Sequence, residues 1–98
     1  MSVSTGDELM SLLNDSEKKK NVSELIIEEG CGNELKIDLK ICGFDNLKKL
    51  IVKKNSLKNL NSLIISNNSE LESMEIEDGN WQESAFWNVK NVEISSIL

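Results

Sequence analysis

The residue types that most often carry out chemistry in proteins are scarce in this sequence. There is no histidine, and all eleven cationic side chains are lysines. The sequence therefore lacks the commonest general base and metal ligand, and it also lacks the arginine side chain that clamps phosphate or carboxylate groups with two hydrogen bonds. We predict neither a catalytic residue nor a cofactor.

Carboxylates and thiols are the remaining candidates for a chemical site. Glu75, Glu77 and Asp78 form an acidic cluster for which a calcium site is conceivable, but alternating positions project along an open face and the EF-hand spacing is absent. A solvated acidic face is the favoured interpretation. Cys31 and Cys42 are too few for a disulfide framework, and a zinc site would need two more ligands. We predict two free thiols and no metal site.

Both tryptophans flank one polar segment, residues 79–87. Aromatic side chains on a loop are typical anchors of a protein interface. The alternative is that Trp81, Phe86 and Trp87 cover the end of a hydrophobic core, and the sequence leaves both interpretations open. It also leaves open a second function, a small-ligand-binding or enzymatic domain that uses the residue 79–87 loop.

Length and charge limit the possible classes of protein. The 98 residues are enough for one domain. The net charge of −6 argues against nucleic-acid binding, which needs a basic surface to displace counterions from phosphates. No stretch approaches the ~18–20 apolar residues of a membrane span, and no basic segment precedes an apolar run as in a signal peptide. We therefore predict a cytoplasmic protein without a membrane span.

A repeat in the sequence predicts the elements that position these residues. Residues 46–55 recur, with the same apolar spacing, as residues 21–30 and 70–79. A turn-prone residue follows each apolar set, which comprises Val22, Leu25, Ile27 before Gly30; Leu47, Leu50, Val52 before Asn55; and Leu71, Met74, Ile76 before Gly79. A second, weaker set recurs between them: Leu39, Ile41 before Gly43; Leu63, Ile65 before Asn67; and Val92, Ile94 before Ser96.

The repeat length of 24–29 residues is typical of a solenoid. The pattern predicts a mostly β fold of three coils, residues 21–45, 46–70 and 71–98, each with two short strands that pair in parallel with those of the next coil. Leu25, Leu50 and Met74 are expected to form one row. The outward charges alternate between coils, so Glu28, Lys53 and Glu77 are expected to line up, as are Glu29, Lys54 and Asp78.

Residues 1–20 differ from the rest and are predicted to form an N-terminal cap and a linker. Thr5 and Glu8 have the spacing of a capping box, and Leu9, Leu12 and Leu13 lie on one face of the short helix that would follow. We expect the helix to end near Asn14 and to cover the open end of the solenoid. Residues 14–20 are predicted to be a polar linker.

The repeats resemble those of irregular leucine-rich-repeat proteins, of the kind found in protists and in bacterial surface-antigen-like proteins. The resemblance rests on residues 57–68, 71–79 and 86–96, and it covers about residues 21–98. Asn33 and Lys36 in the first coil stand where the second coil has Leu57 and Leu60. The resemblance implies a curved binding or assembly scaffold, and it implies no catalytic residue.

The sequence therefore predicts a non-catalytic protein–protein interaction or assembly scaffold. Its C-terminal strand edge is expected to meet a protein partner or a second copy of the chain. Head-to-tail stacking would place Glu75, Glu77 and Asp78 against the acidic outward residues of the first coil, Glu24, Glu28 and Glu29, which disfavours a homopolymer. The candidate partner-binding residues are Glu75, Glu77, Trp81, Gln82, Glu83, Trp87, Ile97 and Leu98.

Overall fold

After the first strand, short parallel strands alternate between two sheets along the chain. A computed structural model describes residues 1–77 and 91–94. Two helices lie near the N-terminus of this part, α1 (Gly6–Leu13) and α2 (Ser16–Lys20). Its strands are β1 (Ser2–Val3), β2 (Glu24–Ile27), β3 (Asp38–Cys42), β4 (Lys49–Val52), β5 (Ser62–Ser66), β6 (Ser73–Ile76) and β7 (Asn91–Ile94).

All strand pairs in the described part of the chain are parallel. The first sheet has the order β1-β2-β4-β6, and the second has the order β3-β5-β7. In the first sheet, Leu25 pairs with Leu50 and Leu50 pairs with Met74, so the predicted row is confirmed. In the second sheet, the predicted pairings of Leu39 with Leu63 and of Leu63 with Val92 are also found. The recurring apolar segments therefore pair with one another.

The hydrophobic core contains side chains from both sheets and from α1. Leucine, isoleucine and valine at alternate strand positions are almost fully buried there, because the side chains of a strand alternate between its two faces. Phe44 and Leu47, in the segment between β3 and β4, join the same cluster. The described part of the chain is thus a small, compact α/β domain with parallel strands and few helices.

The turn residues have the left-handed backbone that the sequence predicts. Positive φ angles occur at Gly30 (81°), Gly43 (77°), Asn55 (59°) and Asn67 (56°). Glycine and asparagine adopt this conformation at the lowest cost, which explains why these two residue types recur after the strands. The corresponding predictions at Gly79 and Ser96 lie outside the described residues.

The predicted correspondence of Asn33 in the first coil with Leu57 in the second coil is wrong by one residue. Gly32 lies beside Leu57, because a Cβ built on Gly32 would be 2.7 Å from the Cδ2 of Leu57, and both residues have positive φ angles, 74° and 53°. Asn33 instead uses its side chain to bond the main chain around this turn, as described below. The reason is steric, since only glycine leaves room for the buried leucine at this point.

The predicted N-terminal helix is confirmed. Thr5 accepts a hydrogen bond from the main-chain N–H of Glu8, and the Glu8 carboxylate accepts from the N–H groups of Ser4 and Thr5. Leu9 and Leu12 are buried, and Asn14 caps the C-terminal end. This helix packs on β1 and β3.

Two N-terminal elements have no counterpart in the predictions. The expected polar linker, residues 14–20, contains helix α2, whose first turn is capped by the Asp15 carboxylate. This helix is held on the fold by Lys19, which donates to the Cys42 carbonyl at 3.0 Å and lies 5.5 Å from the centre of the Phe44 ring. The second unpredicted element, β1, pairs with β2.

Strand β1 changes the predicted contact between stacked copies. The edge strand at this end of the first sheet is β1, and the acidic β2 lies one strand further in. A head-to-tail neighbour would meet Ser2 and Val3, which pair with Ile26 and Ile27 of β2. In such a stack β6 would therefore lie beside β1, one strand farther from the acidic β2 than predicted.

Candidate interaction surface

The outer face of the first sheet carries three rows of side chains that cross its strands. The strand register places Glu24, Lys49 and Ser73 in one row and Ile26, Ile51 and Glu75 in the next. The main chain continues the same register beyond the strands, because Lys53 N–H donates to the Ile27 carbonyl and Glu77 N–H donates to the Val52 carbonyl. The predicted alignment of Glu28, Lys53 and Glu77 is therefore present.

Within the third row, Lys53 and Glu77 form an ion pair. The Lys53 Nζ lies 3.2 Å from the Glu77 Oε2, and the main-chain N–H of Lys54 donates to the Glu77 Oε1 at 3.2 Å. The hydrogen bond from Lys54 and then that from Lys53 lower the pKa of the Glu77 carboxyl. The hydrogen bond to Glu77, aided by its negative charge, raises the pKa of the Lys53 ammonium group.

The middle row combines apolar and acidic side chains. Ile26 is half-buried and Ile51 is 9% exposed, although both belong to the outward set. Glu75, on β6, lies next to Ile51 of β4 and is exposed. An apolar centre bordered by charged side chains is typical of a protein-binding surface. We call these three rows the outer face, made up of Glu24, Ile26, Glu28, Lys49, Ile51, Lys53, Ser73, Glu75 and Glu77.

The structure describes two of the eight predicted partner-binding residues. Glu75 and Glu77 lie on the same side of β6, as expected from their spacing. The Glu77 carboxylate already accepts hydrogen bonds from two lysines, whereas Glu75 forms no ion pair within residues 1–77 and 91–94. Glu75 is thus the more available carboxylate. The other six, Trp81, Gln82, Glu83, Trp87, Ile97 and Leu98, lie outside the described residues.

Sequence reasoning missed a set of asparagines that join segments about 25 residues apart. Asn33 donates to the Asn55 carbonyl at 2.8 Å and accepts from the Lys58 N–H at 3.0 Å. Buried Asn68 donates to the Ile41 carbonyl and accepts from the Phe44 N–H. Further side-chain bonds of this kind run from Asn46 to the Lys20 carbonyl, from Asn59 to the Asn33 carbonyl and from Asn61 to the Lys36 carbonyl.

The signal for this set was the asparagine content itself. The chain has twelve asparagines, several of them in the segments that follow or precede the strands. A buried or half-buried asparagine satisfies main-chain groups that a turn leaves without partners. The asparagines in these segments therefore have a structural role.

The two cysteines are free thiols in different environments. Cys31 is buried, and Cys42 is half-buried at the end of β3. Burial, followed by the nearby negative charges of Glu34, Glu8 and Glu28, raises the pKa of the Cys31 thiol to about 11. Cys31 is therefore protonated and a poor nucleophile near neutral pH.

Neither a cluster of metal-binding side chains nor a helix able to span a membrane is found within the described residues. Across residues 1–77 and 91–94, no three or more cysteine, aspartate or glutamate side chains are grouped so that they could hold a metal ion. The helices of the same part of the chain are too short and too polar to cross a membrane. Comparisons with protein-family models, with curated proteins and with solved structures find no match to this chain.

Proposed function

We propose that the chain is a leucine-rich-repeat-like solenoid and that it acts as a non-catalytic protein–protein interaction or assembly scaffold. The observation that carries this proposal is the recurring offset of 24–29 residues between paired strands of β2 to β7. Paired residues of β2, β4 and β6 are 25 and 24 residues apart, and those of β3, β5 and β7 are 24 and 29 residues apart. One coil would then supply one strand to each sheet, which is the arrangement of a solenoid with two strands per coil.

The asparagine bonds support the same proposal. They join residues that are 22–27 positions apart, so four of these five bonds would connect one coil to the next, and the bond from Asn46 connects the second coil to Lys20 in the N-terminal segment. In a solenoid the contacts of each coil are limited to its neighbours. Hydrogen bonds that span one repeat length are the polar counterpart of the apolar rows in such a fold.

The outer face is the proposed binding surface, together with the loop and C-terminal residues of the candidate set. Half-buried Ile26 offers apolar area, and exposed Glu75 offers a charge for orienting a partner. The whole chain has neither histidine nor arginine, which supports a role in binding over one in catalysis. We also propose a cytoplasmic location, where a reducing environment keeps Cys31 and Cys42 as the free thiols described here.

The experiment is quantitative affinity capture from native lysate with matched charge reversals. Glu75 and Glu93 are exposed glutamates, and each pairs with an isoleucine, Ile51 on β4 or Ile64 on β5. Glu75→Lys reverses a charge on the outer face, whereas Glu93→Lys makes the same change on the second sheet. Trp81→Ala tests the loop.

We expect Glu75→Lys and Trp81→Ala to lower the recovery of the same partner at least tenfold, and Glu93→Lys to leave it within about twofold. Equal losses for Glu75→Lys and Glu93→Lys would contradict the assignment of the binding surface to the outer face. Failure of the wild type to enrich any protein over a beads-only control would contradict the scaffold function itself.

A further inference from the structure

The free edge of the first sheet at its N-terminal end carries an unpaired main-chain donor and acceptor on one residue. Met1 and Val3 use their main-chain groups to pair with β2, since the Met1 carbonyl accepts from Ile26 N–H and the Val3 carbonyl accepts from Glu28 N–H. In a parallel ladder, alternate residues bond to opposite sides. The N–H and C=O of Ser2 therefore point away from β2, and within residues 1–77 and 91–94 they have no partner.

A groove of about 340 Å³ adjoins this edge and is lined by β1 and both helices. Asp7 and Lys18 face it with opposite charges, and neither forms an ion pair within the described residues. Met1 also lines the groove and is 53% exposed, more than any other large hydrophobic side chain that the structure describes. One small surface thus contains the main-chain donor and acceptor of Ser2, side chains of both charge signs and the exposed apolar area of Met1.

These features make the surface complementary to itself. A twofold axis places the same patch of both copies face to face, so each donor must find its acceptor on the identical patch of the other copy. When two β1 strands pair antiparallel with Ser2 opposite Ser2, each serine donates its N–H to the carbonyl of the other. A surface with only one charge sign would repel its copy, whereas this groove carries both.

We propose that the outer edge of β1 is a homodimerisation surface, in which Ser2 of one copy pairs with Ser2 of the partner copy and the flanking grooves meet. The pairing joins the two first sheets into one continuous sheet and covers the exposed Met1. It closes after two copies because an isologous contact uses the same surface on both. This surface lies on the opposite edge of the sheet from β6, which carries Glu75, so Glu75→Lys tests the partner-binding role without changing a residue of this surface.

The first test compares Ser2→Pro with Ser2→Ala by sedimentation equilibrium over a range of concentrations. Proline removes the outward N–H and leaves the Met1 and Val3 bonds to β2 available, whereas alanine keeps the N–H. Each dimer would lose two hydrogen bonds. We expect Ser2→Ala to dimerise like the wild type and Ser2→Pro to raise the dissociation constant about tenfold to a hundredfold. A wild type that is monomeric at ~1 mM overturns the proposal, as does a dimer that Ser2→Pro leaves unchanged.

A second test does not depend on the fold tolerating proline. In a hydrogen-bonded antiparallel pair the Cα atoms are about 5.5 Å apart, which suits a disulfide. Ser2→Cys is therefore expected to form a covalent dimer under mild oxidation. Ser4→Cys, on an exposed residue two positions along the chain, is the control, because its counterpart would lie several residues away. Equal cross-linking of both variants, or none for Ser2→Cys, overturns the proposal.

Discussion

Asn68 provides the sharpest test of the role assigned to the asparagines. Its side chain is fully buried, donates to the Ile41 carbonyl at 3.0 Å and accepts from the Phe44 N–H at 3.1 Å. Asn68→Ala leaves both main-chain groups without these bonds in a buried site. Each buried group left unsatisfied costs about 1–3 kcal/mol, so we expect the free energy of unfolding to fall by about 2–5 kcal/mol, a large share of the ~5–15 kcal/mol typical of a domain.

The matched control is Asn46→Ala. Asn46 makes the same kind of bond, from its Nδ2 to the Lys20 carbonyl at 2.6 Å, but it is exposed. Water replaces the lost partner there, so we expect a loss of at most ~1 kcal/mol. Urea unfolding followed by circular dichroism measures both variants, and an unchanged slope shows that only stability has changed. Equal losses for Asn68→Ala and Asn46→Ala would refute the reasoning.

Asn68→Asp adds a prediction about pH. Burial raises the pKa of the new carboxyl group in the folded state above its unfolded value of about 3.9. Below the unfolded pKa the group is protonated in both states, and its O–H can donate to the Ile41 carbonyl. As pH rises through the folded pKa, a buried charge must form or folding is lost. The deficit relative to wild type is therefore expected to be larger near pH 7 than near ~pH 4.

Three further predictions concern packing, turns and the ion pair. Leu50→Ala, in the middle of its buried row, is expected to cost about 2–5 kcal/mol in urea unfolding. Gly32→Ala is expected to lose more stability than Gly30→Ala, because both have positive φ but only Gly32 has Leu57 within 3 Å of the added methyl group; equal losses would contradict the steric argument. The pKa of Glu77 is lowered in the folded state. The stability that this carboxylate contributes is therefore present above its unfolded pKa of about 4.3 and is lost as pH falls through the folded pKa. We expect the urea midpoint of Glu77→Gln to differ most from that of the wild type at neutral pH and least near ~pH 2.

Features governed by local or periodic rules were predictable from the sequence. Leu25, Leu50 and Met74 pair as expected because one face of each strand must be buried, and a shift of one residue would expose it. The capping box at Thr5 needs only residues three apart, and the left-handed turns need only glycine or asparagine. Each of these signals is complete within a few residues.

The unpredicted features depend on contacts between distant residues. Strand β1 has two residues, too few to show any alternation of apolar and polar positions. Four of the five residues of helix α2 are charged, and the helix is too short to be stable alone, so it depends on the contacts of Lys19 with Cys42 and Phe44. The candidate site was predictable only in part, since spacing placed Glu75 and Glu77 on one side of β6 but did not show that Glu77 is held by Lys53 and Lys54.

The asparagines also explain how short strands with few aromatic residues specify one register. Strands of four or five residues form few ladder bonds, and many leucine-to-isoleucine contacts would survive a shift of two residues, which keeps the same face of the strand buried. A side-chain amide that must meet one carbonyl and one N–H does not survive such a shift, because the buried groups would lose their partners. The apolar rows supply most of the free energy of folding, whereas residues such as Asn33 and Asn68 select the register in which those rows align.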